Sequence, residues 1–248
     1  MISKNISTKI LGNEIKYLET IDSTNNELWK HINKCSLKEG YTIIANNQTS
    51  GRGRRGNKWI SSKSESLTFS ILLKPKLNIK TFGLVSILTS ISIVEAIKYI
   101  YNINAKIKWP NDILAKNKKI GGILVESKII NDETNIVIGI GINVNQKLMS
   151  NELMNKAISI RMINQQINNI ELLFKSILNQ LENFYNMPSE NWITVWQENC
   201  AHINSKIKFH ENNKIFEGIF IGLSKNGEAI IKKNGSIQIF PSGVLNLI

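Results

Sequence analysis

The sequence predicts an α+β chain: a mixed central β-sheet flanked by helices, followed by a small antiparallel β-barrel of SH3-like size. Three observations carry this prediction. Apolar residues recur at helical spacing in two long windows, Phe82 to Ile100 and Ile170 to Phe184. Short β-favouring runs punctuated by glycine lie between them. After Cys200 the pattern changes to short strands separated by asparagine-rich turn signals. A chain of 248 residues fits one large domain plus a small appendage. The expected division is 1–201 and 202–248.

The elements follow in order. Thr24-x-x-Glu27 has capping-box form and starts a helix over residues 23 to 34. Tyr41 to Ala45 reads as a buried strand. Asn46 to Ser66 is a long polar loop, and long loops in compact domains are usually functional or disordered. Leu67 to Leu73 is a strand ended by Pro75. The helix from Phe82 carries Leu84, Ile87, Leu88, Ile91, Val94 and Ile97 on one side. Strand-like segments come next at Lys106–Trp109, Asp112–Ala115, Lys119–Ser127 and Asn135–Val144. The stripe Leu173, Phe174, Ile177, Leu178, Leu181 is core packing rather than a partner site. A further helix spans Ser189 to Asn199, with Trp192 and Trp196 one turn apart. The appendage has strands at Lys206–His210, Lys214–Gly222, Glu228–Lys232 and Ile237–Phe240. Turns at Asn212-Asn213, Asn226-Gly227 and Asn234-Gly235 separate them.

Composition bounds the function. No apolar run approaches the ~20 residues of a membrane-spanning helix. Met1–Asn5 lacks the apolar stretch of a secretory signal, and early Glu14, Glu19 and Asp22 argue against a transit peptide. A cytoplasmic protein is expected. Cys35 and Cys200 have no ligand spacing and read as buried or inert thiols. His31, His202 and His210 form no metal-binding pair, and the last two are expected on the surface. The net charge of +12 comes almost wholly from lysine. Arginine is more informative: of four in the chain, Arg52, Arg54 and Arg55 fall together. Guanidinium offers a planar fork of donors suited to phosphate and carboxylate.

Four motifs carry chemistry. Gly51-Arg52-Gly53-Arg54-Arg55-Gly56 interleaves close-approach glycines with charge-assisted donors, but lacks the Lys-Ser/Thr pair of a Walker loop. Taken alone it fits a small-anion site, a flexible basic loop or an RNA-binding element. In Lys108-Trp109-Pro110-Asn111-Asp112 the proline should hold the chain extended before two directional polar groups, although Pro-Asn-Asp is also ordinary turn chemistry. Lys119-Ile120-Gly121-Gly122-Ile123-Leu124-Val125-Glu126 sets a lysine at the start of a strand with two close-approach glycines. Gly139-Ile140-Gly141-Ile142-Asn143 imitates a dinucleotide fingerprint without its third glycine or following helix.

Taken in order with Ser23-Thr24-Asn25, Gln48 and Trp59, these motifs resemble the biotin protein ligase family, and GRGRRG with KWPND is the most specific pair. The resemblance implies the central sheet of the class II aminoacyl-tRNA synthetase/biotin ligase type with a C-terminal cap. It implies that biotin is activated by ATP with Mg2+ as biotinyl-5′-AMP. The biotinyl group would then pass to a lysine of a biotin carboxyl carrier protein, such as that of acetyl-CoA carboxylase. It further implies that Ser23, Thr24, Asn25 and Gln48 bind the ureido end of biotin, with Arg52, Gly53 and Gly122 completing the biotin site. Arg54 and Lys119 would be the catalytic pair, facing both biotin and adenylate. Arg55, Gly56, Trp59, Asn111, Asp112 and Asn143 would face the nucleotide, with Asp112 near Lys119 or the magnesium. The resemblance also implies a homodimer through the central sheet.

Only 22 residues precede Ser23, too few for the DNA-binding domain of some members, so a monofunctional ligase with no operator DNA is expected. Asn57-Lys58 and Lys63-Ser64-Glu65-Ser66 depart from the family pattern around the loop. The alternatives are a lipoate or octanoate ligase or transferase of the same fold, or a basic RNA-binding module.

Overall fold

The computed structural model describes residues 7–75, 82–211 and 214–248. The Met1–Asn5 segment and the Asn212-Asn213 turn lie outside these residues.

Seven strands form the central sheet in the order β1-β2-β3-β7-β6-β5-β4. They are β1 Ile15–Ile21, β2 Thr42–Gln48, β3 Ser66–Leu73, β4 Lys106–Lys108, β5 Asp112–Ala115, β6 Lys118–Ile130 and β7 Glu133–Asn143. Only β1 and β2 are parallel, joined by the crossover helix α1 Thr24–Lys34. Sequence periodicity did not reveal β1, because Lys16, Glu19 and Thr20 break its apolar pattern. As an edge strand it needs no fully apolar face. By contrast β3 is buried along its whole length, between β2 and β7.

Alternation divides the core between the two faces of the sheet. Ile43, Leu72 and Val137 meet Leu28 and Trp29 of α1. Ile44, Phe69, Ile71 and Ile138 belong to the larger core on the other face. That face is covered by α2 Phe82–Tyr101, α4 Ile170–Tyr185 and α5 Ser189–Glu198. One expectation is corrected here: over Gly83–Tyr101, α2 is long and apolar enough to cross a membrane. It is two-thirds buried inside the protein, packed on α4 and α5. Its buried Thr89, Ser90 and Ser92 hydroxyls donate to carbonyls one turn back.

The capping box is also corrected. Ser23, not Thr24, is the N-cap of α1, and its side chain makes no capping bond. The Oε1 of Gln48, reaching across from β2, accepts the Thr24 backbone N–H at 2.8 Å instead. A short helix, α3 Ile160–Asn164, escaped the periodicity because it has a single buried residue.

The appendage is a five-stranded antiparallel sheet, ordered β11-β10-β9-β8-β12, with β11 and β12 at its two ends. Its strands are β8 Lys206–Glu211, β9 Lys214–Leu223, β10 Ala229–Lys233, β11 Ser236–Phe240 and β12 Val244–Leu247. Phe209, Phe216 and Phe240 form its aromatic centre, and Trp109 reaches it from the large sheet's side. The final strand β12 pairs with β8 and was not foreseen from its four residues.

His202 is not on the surface. It is 1% exposed, edge-on to Phe220 at 4.3 Å between ring centres, with Trp196 beside it. Burial, reinforced by Lys108, pushes its pKa down to about 3. Burial likewise pushes the neighbouring Cys200 thiol up to about 11, whereas Cys35 is exposed.

Candidate functional site

A cavity of about 170 Å³ opens above the middle of the sheet, between α1, the Gly51–Trp59 flap and the Trp109–Asp112 turn. Its floor is glycine for a physical reason. A Cβ on Gly139 would collide with the Asn25 carboxamide, and one on Gly141 with the Trp59 indole. Gly122 pairs with Gly141 across the ladder, and a Cβ there would meet Lys119 Nζ at 3.3 Å. The glycines thus let one amide and one indole lie directly on the backbone.

One end of the cavity is a neutral polar network. Thr24 Oγ1 donates to Gln48 Oε1 at 3.1 Å. The buried Ser70 hydroxyl lies 2.7 Å from Thr24 Oγ1 and 2.6 Å from Asn25 Oδ1. Asn25 Nδ2 donates to Glu126 Oε2 at 2.9 Å. Ser, Thr, Asn and Gln together present donors and acceptors at once, as a neutral cyclic amide or urea requires.

The other end is charged. Lys119 Nζ and Asp112 Oδ1 pair at 2.5 Å. A bulge between Ile113 and Leu114 of β5 against β6 leaves Ile120 without an opposite partner, which aims Lys119 at the cavity. Arg54 donates to Asn111 Oδ1 at 3.3 Å, and Asn111 is fixed by its own bond to the Ile123 carbonyl. Burial lowers the Arg54 pKa, Arg55 adds to the shift and Asp112 opposes it. The guanidinium stays charged near neutrality. The flap is a small hairpin: Arg52 bridges Lys58, Gly53 N–H donates to Asn57 O, and Trp59 N–H to Gly51 O. Arg55 sits at its tip in the left-handed region.

Residues 17–143, just over half of the chain, match the family described as "Biotin/lipoate A/B protein ligase family". Residues 202–244 match "Biotin protein ligase C terminal domain". The chain belongs to the biotin/lipoate A/B protein ligase family. Among similar curated proteins, the bifunctional ligase/repressor BirA of Escherichia coli is 29% identical over 250 residues, covering 99% of this chain and 77% of that protein. The biotin–protein ligase of Homo sapiens is 36% identical over 148 residues, 57% of this chain and 20% of that one. The solved biotin protein ligase of Aquifex aeolicus, in complex with biotin and ATP, superposes with a TM-score of 0.80 at 28% identity, covering 95% of this chain and 99% of that one.

Against this family background, the structure gathers most of the residues that the motifs nominated. Ser23, Thr24, Asn25, Gln48, Arg52, Gly53, Arg54, Arg55, Trp59, Asn111, Asp112, Lys119 and Gly122 all line the cavity. Two do not. Gly56 lies at the flap's far tip, where nothing comes within 4 Å of a Cβ. Asn143 is buried, and its amide is taken by the Ile158 carbonyl at 3.2 Å. The segment at Ala157 and Ile158 crosses beside Lys119 and covers that end of β7, a contact invisible at the sequence level.

Trp109-Pro110 is not extended. The peptide is cis and the pair forms the turn between β4 and β5. Sequence reasoning missed Ser70, Glu126 and the Gly243–Leu245 edge of the small sheet, which reaches the cavity from the far end of the chain. A signal for Ser70 existed: Ser66, Thr68 and Ser70 place polar groups on one face of an otherwise apolar strand. For Gly243–Leu245 there was none.

Proposed function

We propose that this chain activates biotin with ATP as biotinyl-5′-AMP and transfers the biotinyl group to a lysine of a cytoplasmic biotin carboxyl carrier protein. The observation that carries the reading is one cavity with a neutral polar end and a cationic end. Biotin offers a matching pair: a neutral ureido ring and an anionic tail. The relatives and the Aquifex complexes with biotin and with ATP support this assignment.

The chemistry follows from charge. Biotin's carboxylate must attack the α-phosphate of ATP, and the two anions repel. Arg54 and Lys119 offset that repulsion and stabilise the charge that gathers on phosphorus oxygens, each worth about 3 kcal/mol when removed. Lys119 must exchange its bond to Asp112 for the ligand. Asp112 thereby holds the ammonium in place until the anion arrives. Thr24, Asn25 and Gln48 orient the ring, so the tail points at the cationic end. The mixed anhydride is water-sensitive, and the Arg-bearing hairpin shields it. The carrier lysine then attacks the acyl carbon and AMP leaves, with no enzyme nucleophile needed. Trp59 and Asn111, which line the cavity, would face the nucleotide.

Among the described residues, no group of three or more His, Cys, Asp or Glu side chains is placed to hold a metal. Magnesium would enter with the triphosphate and neutralise the departing pyrophosphate, and Asp112 is the cavity-lining carboxylate that would face it. The proposed domain division remains 1–201 and 202–248, and the homodimer is a proposal that sedimentation would check.

The deciding test is biotin-dependent exchange of labelled pyrophosphate into ATP. Exchange with biotin, and none with lipoate, is expected. Exchange with lipoate alone would overturn the assignment.

A further inference from the structure

We propose that Glu126 is a positioning residue: it latches the arginine-bearing flap, through Arg52, to the polar floor of the cavity. The inference rests on the ligase reading only for the identity of the ligand that loads that floor.

Glu126 joins three elements. Its own strand is β6, where it faces Val137 of β7 in the ladder. Its Oε1 accepts from Arg52 Nη2 at 2.6 Å. Its Oε2 accepts from Asn25 Nδ2 at 2.9 Å and from Trp29 Nε1 at 3.3 Å, both on α1, and from Arg52 Nη1 at 3.4 Å. Arg52 Nη1 also donates to Asn26 Oδ1 at 2.6 Å. The guanidinium fork is thus spent on protein groups, so Arg52 serves as the arm of the flap while Arg54 faces the charged end of the cavity.

The hairpin geometry makes this one contact consequential. Residues 51–59 are tied to one another by the Arg52–Lys58 bridge and by the Gly53–Asn57 and Trp59–Gly51 hydrogen bonds. The flap therefore moves as a unit, and pinning Arg52 places Arg54. Asn25 and Arg52 share one carboxylate. A ligand that engages the Asn25 amide alters the hold of Glu126 on Arg52, and floor occupancy is passed to the flap. The pair is part-exposed, with side chains 43% and 24% accessible, so its strength must fall with salt.

Limited trypsin digestion of the full chain tests this, scored at Arg54, Arg55 and Lys58. At low salt, Glu126→Gln and Arg52→Gln should each be nicked up to about fivefold faster than wild type, as loss of one part-exposed ion pair implies. The double variant should be nicked no faster than the faster of the two singles, because both remove the same pair. High salt should speed nicking of wild type and leave Glu126→Gln unchanged. Saturating biotin should protect wild type strongly and Glu126→Gln weakly, although calorimetry still registers binding to the variant. Should Glu126→Gln melt early, Arg52→Gln carries the comparison, since its half-exposed side chain leaves the core untouched. Wild-type nicking rates in both single variants, multiplying effects in the double, or no salt dependence would each overturn the latch. If wild type fails to bind biotin, the ligase reading falls, and the low-salt comparison still decides the latch.

Discussion

Replacing Gly139 with alanine tests the floor of the cavity directly. The added methyl would overlap the Asn25 carboxamide, and the rest of the side chain lies within about van der Waals reach, so Asn25 must rotate away. Two good hydrogen bonds are then lost, to Ser70 Oγ at 2.6 Å and to the Glu126 carboxylate at 2.9 Å. A neutral bond contributes about 1 kcal/mol net and one to a charged group about 1.5–3 kcal/mol. Glu126 keeps Arg52 and Trp29 as donors, which favours the lower end, so the expected cost is about 2–3 kcal/mol. For a chain of this length that lowers the melting temperature by about 4–12 °C. Biotin affinity, read by titration calorimetry, should fall at least about tenfold, because one of the ring-orienting amides is gone. Asn25→Ala makes room for the methyl, so adding Gly139→Ala to it should cost little more. A Gly139→Ala protein that melts within a degree or two of wild type and binds biotin equally well would refute the reasoning.

Arg54→Ala and Lys119→Ala should each lower pyrophosphate exchange by about 100-fold or more with unchanged melting curves, since each removes one donor aimed at developing charge; retained exchange in Lys119→Ala would exclude its proposed role. His202 gives a pH signature. Its folded pKa is depressed to about 3, so the unfolded state binds the extra proton. Its contribution is fully present above about pH 6.5 and shrinks by up to about 1.4 kcal/mol per pH unit as pH falls toward 3. Urea melts between pH 7 and pH 4.5 should show a smaller loss in His202→Phe than in wild type. Glu182 should act as a staple: burial raises its pKa, but the N–H groups of Leu11, Lys9 and Ile10 prevail and lower it. Its stability is present above the ordinary carboxylate range and lost as pH falls through the depressed folded value. Glu182→Gln should cost about 2 kcal/mol at neutral pH and speed amide exchange at residues 9–11.

How much of this was legible in the sequence depends on the range of the interaction. The helical stripe Leu173–Leu181, the buried strand at Leu67–Leu73 and the Asn-Gly turns of the appendage were legible because their signals repeat within a few residues. The motif residues were legible because arginine clustered in one loop of a lysine-rich chain, and because paired glycines in strands imply close approach. Edge strand β1 was not legible, since an edge strand tolerates Lys16 on one face and Glu19 on the other, where a strand buried on both faces keeps apolar residues. Nor was the burial of His202, which is decided by Trp196 from α5 and Phe220 from β9 closing on it.

The sequence by itself determined which groups the chain would bring: a Ser-Thr-Asn-Gln set, three flap arginines and a strand lysine. Local pattern determined most of the elements that carry them. Only the tertiary structure decided what each group does first. It set Asp112 against Lys119, Glu126 under Arg52 and Asn25 together, Ser70 beneath Thr24, and the Ile158 carbonyl on Asn143. Charge and hydrogen-bond pairing act over a few ångströms in space. In this fold those few ångströms separate residues that lie as much as 173 positions apart along the chain.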